Sequence, residues 1–165
     1  MSTFITGGTG RTGLKISELL RESEHSVLIA SRSGKTLEPF PAVKFDWLDS
    51  STFESPFAMD PNIDRVLLVF FAFYNALEVV GPFIDLAVSK GVKRFVLIST
   101  SGVEKGGPVH GKVHEYLDQI NVEYTVLRPT WFIGEFILMR VKMQLRSTFH
   151  REFWKNFPRP DPGEE

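Results

Sequence analysis

The chain has 165 residues, 42% of them hydrophobic and 24% charged, the size and mix of about one globular domain. With 19 basic side chains against 20 acidic ones the net charge is −1, so no global field recruits nucleic acid. There is no cysteine, which excludes a disulfide scaffold, a thiolate metal site and a cysteine nucleophile. Fifteen phenylalanines stand beside three tyrosines and three tryptophans, and that much aromatic carbon belongs in a core, a ligand pocket or a partner surface.

The opening Met1-Ser2-Thr3-Phe4-Ile5-Thr6-Gly7 carries no charged segment leading into a long apolar stretch. The longest apolar run, Val66 to Phe73, is far short of the roughly 20 residues of a membrane helix. The expectation is a soluble, cytoplasmic protein that meets neither membrane nor nucleic acid.

Short apolar runs alternate with helix-length segments, the pattern of a parallel sheet covered on both faces. Thr3–Thr6 reads as the first strand, followed by a glycine cluster and a helix carrying Leu14, Ile16, Leu19 and Leu20. Val27–Ala30 is the second strand and Val43–Asp46 the third, joined by a loop that holds Gly34, Pro39 and Pro41. Asp49 or Ser50 can cap a short helix running through Phe57. Arg65–Phe71 reads as a central strand buried on both faces, and Ala76–Lys90 as a helix stopped by Gly91. A fifth strand at Arg94–Ser99, a glycine-rich loop at 102–107, a helix at Val109–Ile120 and a strand at Glu123–Leu127 complete the series. The predicted fold is α/β: a doubly wound, parallel Rossmann-type sheet of about six strands in the order 3-2-1-4-5-6, with a C-terminal helix. The expected division is a nucleotide-binding domain at 1–135 and a helical extension at 136–165.

Thr6-Gly7-Gly8-Thr9-Gly10-Arg11-Thr12-Gly13 leaves the first strand and opens the first helix. Gly8, Gly10 and Gly13 satisfy the Gly-x-Gly-x-x-Gly spacing. Such glycines permit the tight turn, the close approach of backbone N–H groups to a pyrophosphate, and close helix–strand packing, while the helix N-terminus favours the anion. NAD sites usually carry an acidic residue about 20 residues further on, at the end of strand two. Here that end reads Ala30-Ser31-Arg32-Ser33, with no carboxylate. Arg32 and Ser31 suit a 2′-phosphate, and Arg11 is placed to reach the same group, so NADP(H) is the expected cofactor; two solvated arginines are the plainer alternative.

With these segments in hand the chain resembles the fungal festuclavine synthase and agroclavine dehydrogenase family of ergot alkaloid pathways, within the NmrA-like, atypical short-chain reductases. The resemblance rests on Thr6–Gly13, Ala30–Ser33, Phe45-Asp46-Trp47-Leu48-Asp49, Gly91–Leu97, Glu104–Pro108, Val113–Leu117 and Val126–Phe132. It implies that Asp46, with Trp47 beside it, contacts the adenine. It also implies that Phe70–Phe73, Phe71 among them, line the ribose side and that Ser99, Thr100 and Ser101 lie near the nicotinamide. The family's chains continue into a C-terminal lobe that completes the substrate pocket, and this chain is expected to do without it. The family also tends towards prolines where this chain has Phe70-Phe71-Ala72-Phe73-Tyr74.

Ile137, Val141, Leu145, Phe149, Phe153 and Phe157 recur at i+4, a stripe that drifts about 40° per step around a helix. It suits packing on the chain's own sheet or on another subunit, with a non-native tail or a membrane-surface or nucleic-acid helix as the other readings.

Typical short-chain dehydrogenases pair a tyrosine acid with a lysine four residues on. Tyr116 is followed there by Ile120, and neither Tyr74 nor Tyr124 restores the pair. An iminium carbon is already electrophilic and asks only for alignment against a nicotinamide. His110, Lys112, His114 and Glu115 form the dense polar group nearest the expected cleft, and His114, Glu115 and Tyr116 are the catalytic candidates; no metal site is expected. The leading expectation is an NADP(H)-dependent reductase of an imine or iminium in fungal alkaloid or related secondary metabolism, acting on a small molecule, expected to be an alkaloid, as a homodimer. Two alternatives stay open: a cofactor-independent cyclase or isomerase, for example of a cationic epoxide rearrangement over aromatic faces, and a non-catalytic nucleotide-sensing regulator.

Overall fold

The computed structural model describes residues 1–71 and 74–130, so the expected helical extension lies outside the described residues. Met1–Pro129 forms one compact unit. Its elements are β1 (Ser2–Ile5), α1 (Arg11–Glu22), β2 (Ser26–Ser31), β3 (Ala42–Lys44), a 3-10 turn at Ser50–Thr52, α2 (Ser55–Met59), β4 (Ile63–Leu68), α3 (Ala76–Ser89), β5 (Arg94–Ile98), α4 (His110–Gln119) and β6 (Glu123–Leu127). All pairings are parallel and the strand order is β3-β2-β1-β4-β5-β6, the doubly wound order read from the sequence.

Period-two alternation sends successive strand residues to opposite faces. Phe4, Leu28, Ala30, Val66 and Leu68 join one core with Val80, Phe83 and Ile84 of α3 and Val113 and Leu117 of α4. Ile5, Val27, Ile29 and Leu67 join the other, against Leu14, Ile16 and Leu20 of α1. Much of the phenylalanine excess is spent here. The Phe83 ring lies 5.0 Å from Phe45, 5.5 Å from Phe53 and 5.4 Å from Trp47, each nearly edge-to-face, the geometry that suits the ring quadrupoles.

Strands one, two and five end within one residue of the sequence reading, at Ile5, Ser31 and Ile98, while strands three and four stop two and three residues early for a shared reason. Strand four stops at Leu68 rather than Phe71, because the Val69 N–H donates to the Thr6 hydroxyl at 2.7 Å instead of to the ladder. Strand three ends at Lys44 rather than Asp46, because the Asp46 N–H donates to Thr52 Oγ1 at 3.0 Å. Side chains take over the backbone where the strands open towards the loops. Asp49 caps the 3-10 turn by accepting from the Ser51 N–H at 3.2 Å, and Pro56, which lacks an N–H, sits in the first turn of the separate short helix α2.

Candidate nucleotide site

The carboxyl ends of β1, β2, β3 and β4 open into a cavity of about 410 Å³ lined by Gly7, Thr9, Gly10, Ala30, Arg32, Phe45, Asp46, Trp47, Leu48, Val69, Phe70 and Phe71. It sits at the topological switch point, where β2 lies on one side of β1 and β4 on the other. The glycine loop forms its floor. Gly7 adopts φ +67, a conformation that L side chains rarely enter. A Cβ at Gly13 would stand 2.4 Å from the Gly7 carbonyl oxygen, and one at Gly8 would stand 2.5 Å from Ile29 Cβ, so the turn closes against the helix and strand only with these residues. Gly10 is the N-cap of α1 and brings no side-chain cap, and the first turn has no acidic residue. The leading N–H groups of the helix therefore have no carboxylate of their own competing with a bound anion, and the cradle fits a pyrophosphate.

Thr6, which sequence reasoning treated only as part of the motif, is the joint of this floor. Its hydroxyl is fully buried, lies 2.9 Å from the Leu67 carbonyl and 3.1 Å from the Val69 carbonyl, and accepts the Val69 N–H. It ties the start of the glycine loop to the end of β4. On the far wall the Trp47 indole N–H donates to the Val69 carbonyl at 3.3 Å, and the Asp46 carboxylate accepts the Leu48 N–H at 3.0 Å. Leu48 and Phe71 are 76% and 80% exposed, so two large apolar side chains rim the opening.

The cavity thus gathers Gly7, Thr9, Gly10, Arg32, Asp46, Trp47 and Phe71 from the expected cofactor residues. Gly8 and Gly13 lie buried behind its floor, and Arg11 and Thr12 open α1 beside it. Ser31 is buried with its hydroxyl 3.2 Å from that of Ser33, which leaves Arg32 as the polar side chain that β2 sends to the cavity. Ser99 is buried at the end of β5, its N–H donated to the Leu127 carbonyl at 2.8 Å, and Thr100 is exposed; neither lines the cavity.

His114, Glu115 and Tyr116 are not brought together. Successive residues on a helix are turned by about 100°. His114 meets the Tyr124 ring of β6 edge-on at 5.5 Å, Glu115 reaches over Gly106 and lies 3.6 Å from Lys112, and Tyr116 donates to the Asp85 carboxylate on α3. That bond, with some burial, raises the Tyr116 hydroxyl above its ordinary pKa of 10.0, the opposite of what a tyrosine acid needs. His110, one turn earlier, takes the inward position. It is buried and stacks on Phe70 at 4.6 Å and 16°. Burial pushes its imidazole below the ordinary 6.5, against the opposing pull of the nearby Phe70 backbone.

A family model described as NAD(P)H-binding matches residues 7–136, from the glycine loop through β6. The chain belongs to this NAD(P)H-binding family. It is 44% identical over 140 residues to agroclavine dehydrogenase of Claviceps purpurea, an alignment covering 82% of this chain and 48% of that protein. Festuclavine synthase II of Penicillium roqueforti is 38% identical over 139 residues, covering 81% and 48%. The chain spans about half the length of these curated relatives. Among solved structures, a short-chain dehydrogenase/reductase superfamily protein of Agrobacterium tumefaciens with bound NAD superposes with TM-score 0.56 over 78% of this chain and 48% of its own, at 20% identity, a likeness of fold.

Proposed function

We propose that the chain is an NADP(H)-dependent reductase of an imine, iminium or related intermediate in alkaloid or similar secondary metabolism. One observation carries the cofactor half of this reading: the glycine loop and Arg32 line one cavity, and β2 contributes no carboxylate to it. Asp46, the acidic side chain in the lining among the described residues, comes from the turn after β3 and accepts a backbone N–H. In this reading the loop and the α1 N-terminus hold the pyrophosphate, and Arg32 holds the 2′-phosphate by charge-assisted bonds. Asp46 and Trp47 meet the adenine, Phe71 covers the ribose side, and Ser99 and Thr100 lie towards the nicotinamide.

A bound nicotinamide supplies the hydride; the protein binds and orients. Tyr116 is engaged with Asp85, so proton delivery to a carbonyl oxygen through that tyrosine has no geometric support, whereas reduction of an iminium carbon needs none. The names of the two fungal relatives supply the substrate class. A homodimer in the cytosol, with residues 1–135 as the nucleotide-binding domain, completes the reading.

Calorimetric titration of the full chain with NADPH and NADH tests it. The expectation is a preference for NADPH of at least about tenfold, the worth of one or two hydrogen bonds to a charged group, and its collapse in Arg32→Glu. No binding of NADPH at millimolar concentration would sink the proposal.

A further inference from the structure

Thr52 is a buried hydroxyl in the 3-10 turn after β3, and three backbone groups of the segment before it converge on its oxygen. That oxygen accepts the Asp46 N–H at 3.0 Å and donates to the Asp49 carbonyl at 2.6 Å, with the Asp46 carbonyl 3.3 Å away. The turn between them closes on itself, since the Asp49 N–H donates to the Asp46 carbonyl at 3.1 Å. Asp46 is therefore held at both backbone ends, just where β3 has ceased to pair. Its carboxylate is held as well, because Oδ1 accepts the Leu48 N–H at 3.0 Å. Among the described residues no hydrogen bond reaches the other oxygen, Oδ2, and Asp46 lines the cavity.

That second oxygen gives the site a chemical preference. A carboxylate oxygen accepts and does not donate, so it favours a ligand N–H and disfavours a ligand carbonyl. Adenine presents a 6-amino group at its edge. Hypoxanthine carries a carbonyl there, and its nearest donor, N1–H, lies one ring atom away. A carboxylate fixed in place tells the two bases apart, whereas one free to swing can follow the donor. We propose that Thr52 is a positioning residue for base selection: by fixing the backbone of Asp46 it aims Oδ2 at the 6-amino group, and so selects a 6-aminopurine over a 6-oxopurine in the cofactor. This rests on the nucleotide-binding reading above, in which Asp46 meets the adenine.

The test titrates the full chain calorimetrically with NADPH and with its deamino analogue, in which hypoxanthine replaces adenine. The wild type is expected to prefer NADPH by about tenfold or more, since a site built to accept from an N–H rejects a ligand lacking it. Thr52→Val keeps the volume but leaves the Asp46 N–H without its acceptor, and the preference is expected to fall to about threefold or less. Thr52→Ala, with room for a water in place of the hydroxyl, is expected to do the same and stands in if the valine does not fold. Thr52→Ser restores the hydroxyl and with it the wild-type ratio. A partly unfolded chain weakens both probes alike, so the ratio reads positioning rather than stability. A wild-type ratio in the valine and alanine variants would overturn the proposal, and so would a serine variant that loses the preference as they do. A wild-type chain that binds both probes equally would overturn it by removing the Asp46–adenine contact, and one that binds neither would remove the nucleotide-binding reading itself.

Discussion

The glycine-loop flank and the α4 flank of the sheet build their chemistry by different means. Around Gly7–Gly13 the chemistry resides in the backbone. A carbonyl oxygen 2.4 Å from where a Gly13 Cβ would stand dictates the residue type, and the residue types dictate the loop. On α4 the chemistry resides in side chains, and the rotation of one short helix decides which of them faces the cleft. His110 faces Phe70; His114, Glu115 and Tyr116 turn to β6, Gly106 and α3. A backbone site is written in spacing, whereas a side-chain site is written in packing that no local window contains.

The contrast can be broken at its strong end first. Gly13→Ala should abolish measurable NADPH binding and cost about 1–3 kcal/mol in urea unfolding, since the new carbon meets backbone that has no rotamer to yield. An alanine variant with native affinity would mean that the loop is not under backbone control. Thr6→Val keeps the shape but leaves the Val69 N–H facing a methyl, so about 1–3 kcal/mol of stability should go, with a smaller loss of NADPH affinity. Unchanged thermal unfolding would show that the joint between loop and β4 lies elsewhere. The smallest effect is expected on α4: Tyr116→Phe should leave the NADPH-dependent reduction rate within about twofold and cost under about 1 kcal/mol, because the Tyr116–Asp85 pair is exposed. A hundredfold loss of rate would return the catalytic chemistry to that helix.

The same division explains what the amino-acid order revealed in advance. The strand order, both helical layers and the glycine loop were legible because alternation, apolar runs and glycine spacing are local signals. The ends of β3 and β4 were not, because an apolar Val69 or Phe70 reads as strand until Thr6, 63 residues from Val69, claims the backbone donor. Arg32 was legible as the polar end of a strand facing the loop. Ser31 looked equally available, but its burial is a tertiary fact, and its hydroxyl lies 3.2 Å from that of Ser33 two residues on. His110 was visible as one of a polar group, and its inward turn depends on Val109 and on the stack with Phe70, neither of which leaves a periodic trace.

The sheet is open, and an open sheet presents backbone donors and acceptors along its margins that can template a second sheet. On the β3 side that margin is three residues long, Ala42–Lys44, and ends in an exposed lysine. Lys44 Cβ lies 3.3 Å from where a Cβ at Gly34 would stand, so the preceding loop lies close to this strand. A margin so short and charged offers little for edge-to-edge aggregation to grow from, so the shortest of the described strands also guards its own side of the sheet against fibrous assembly.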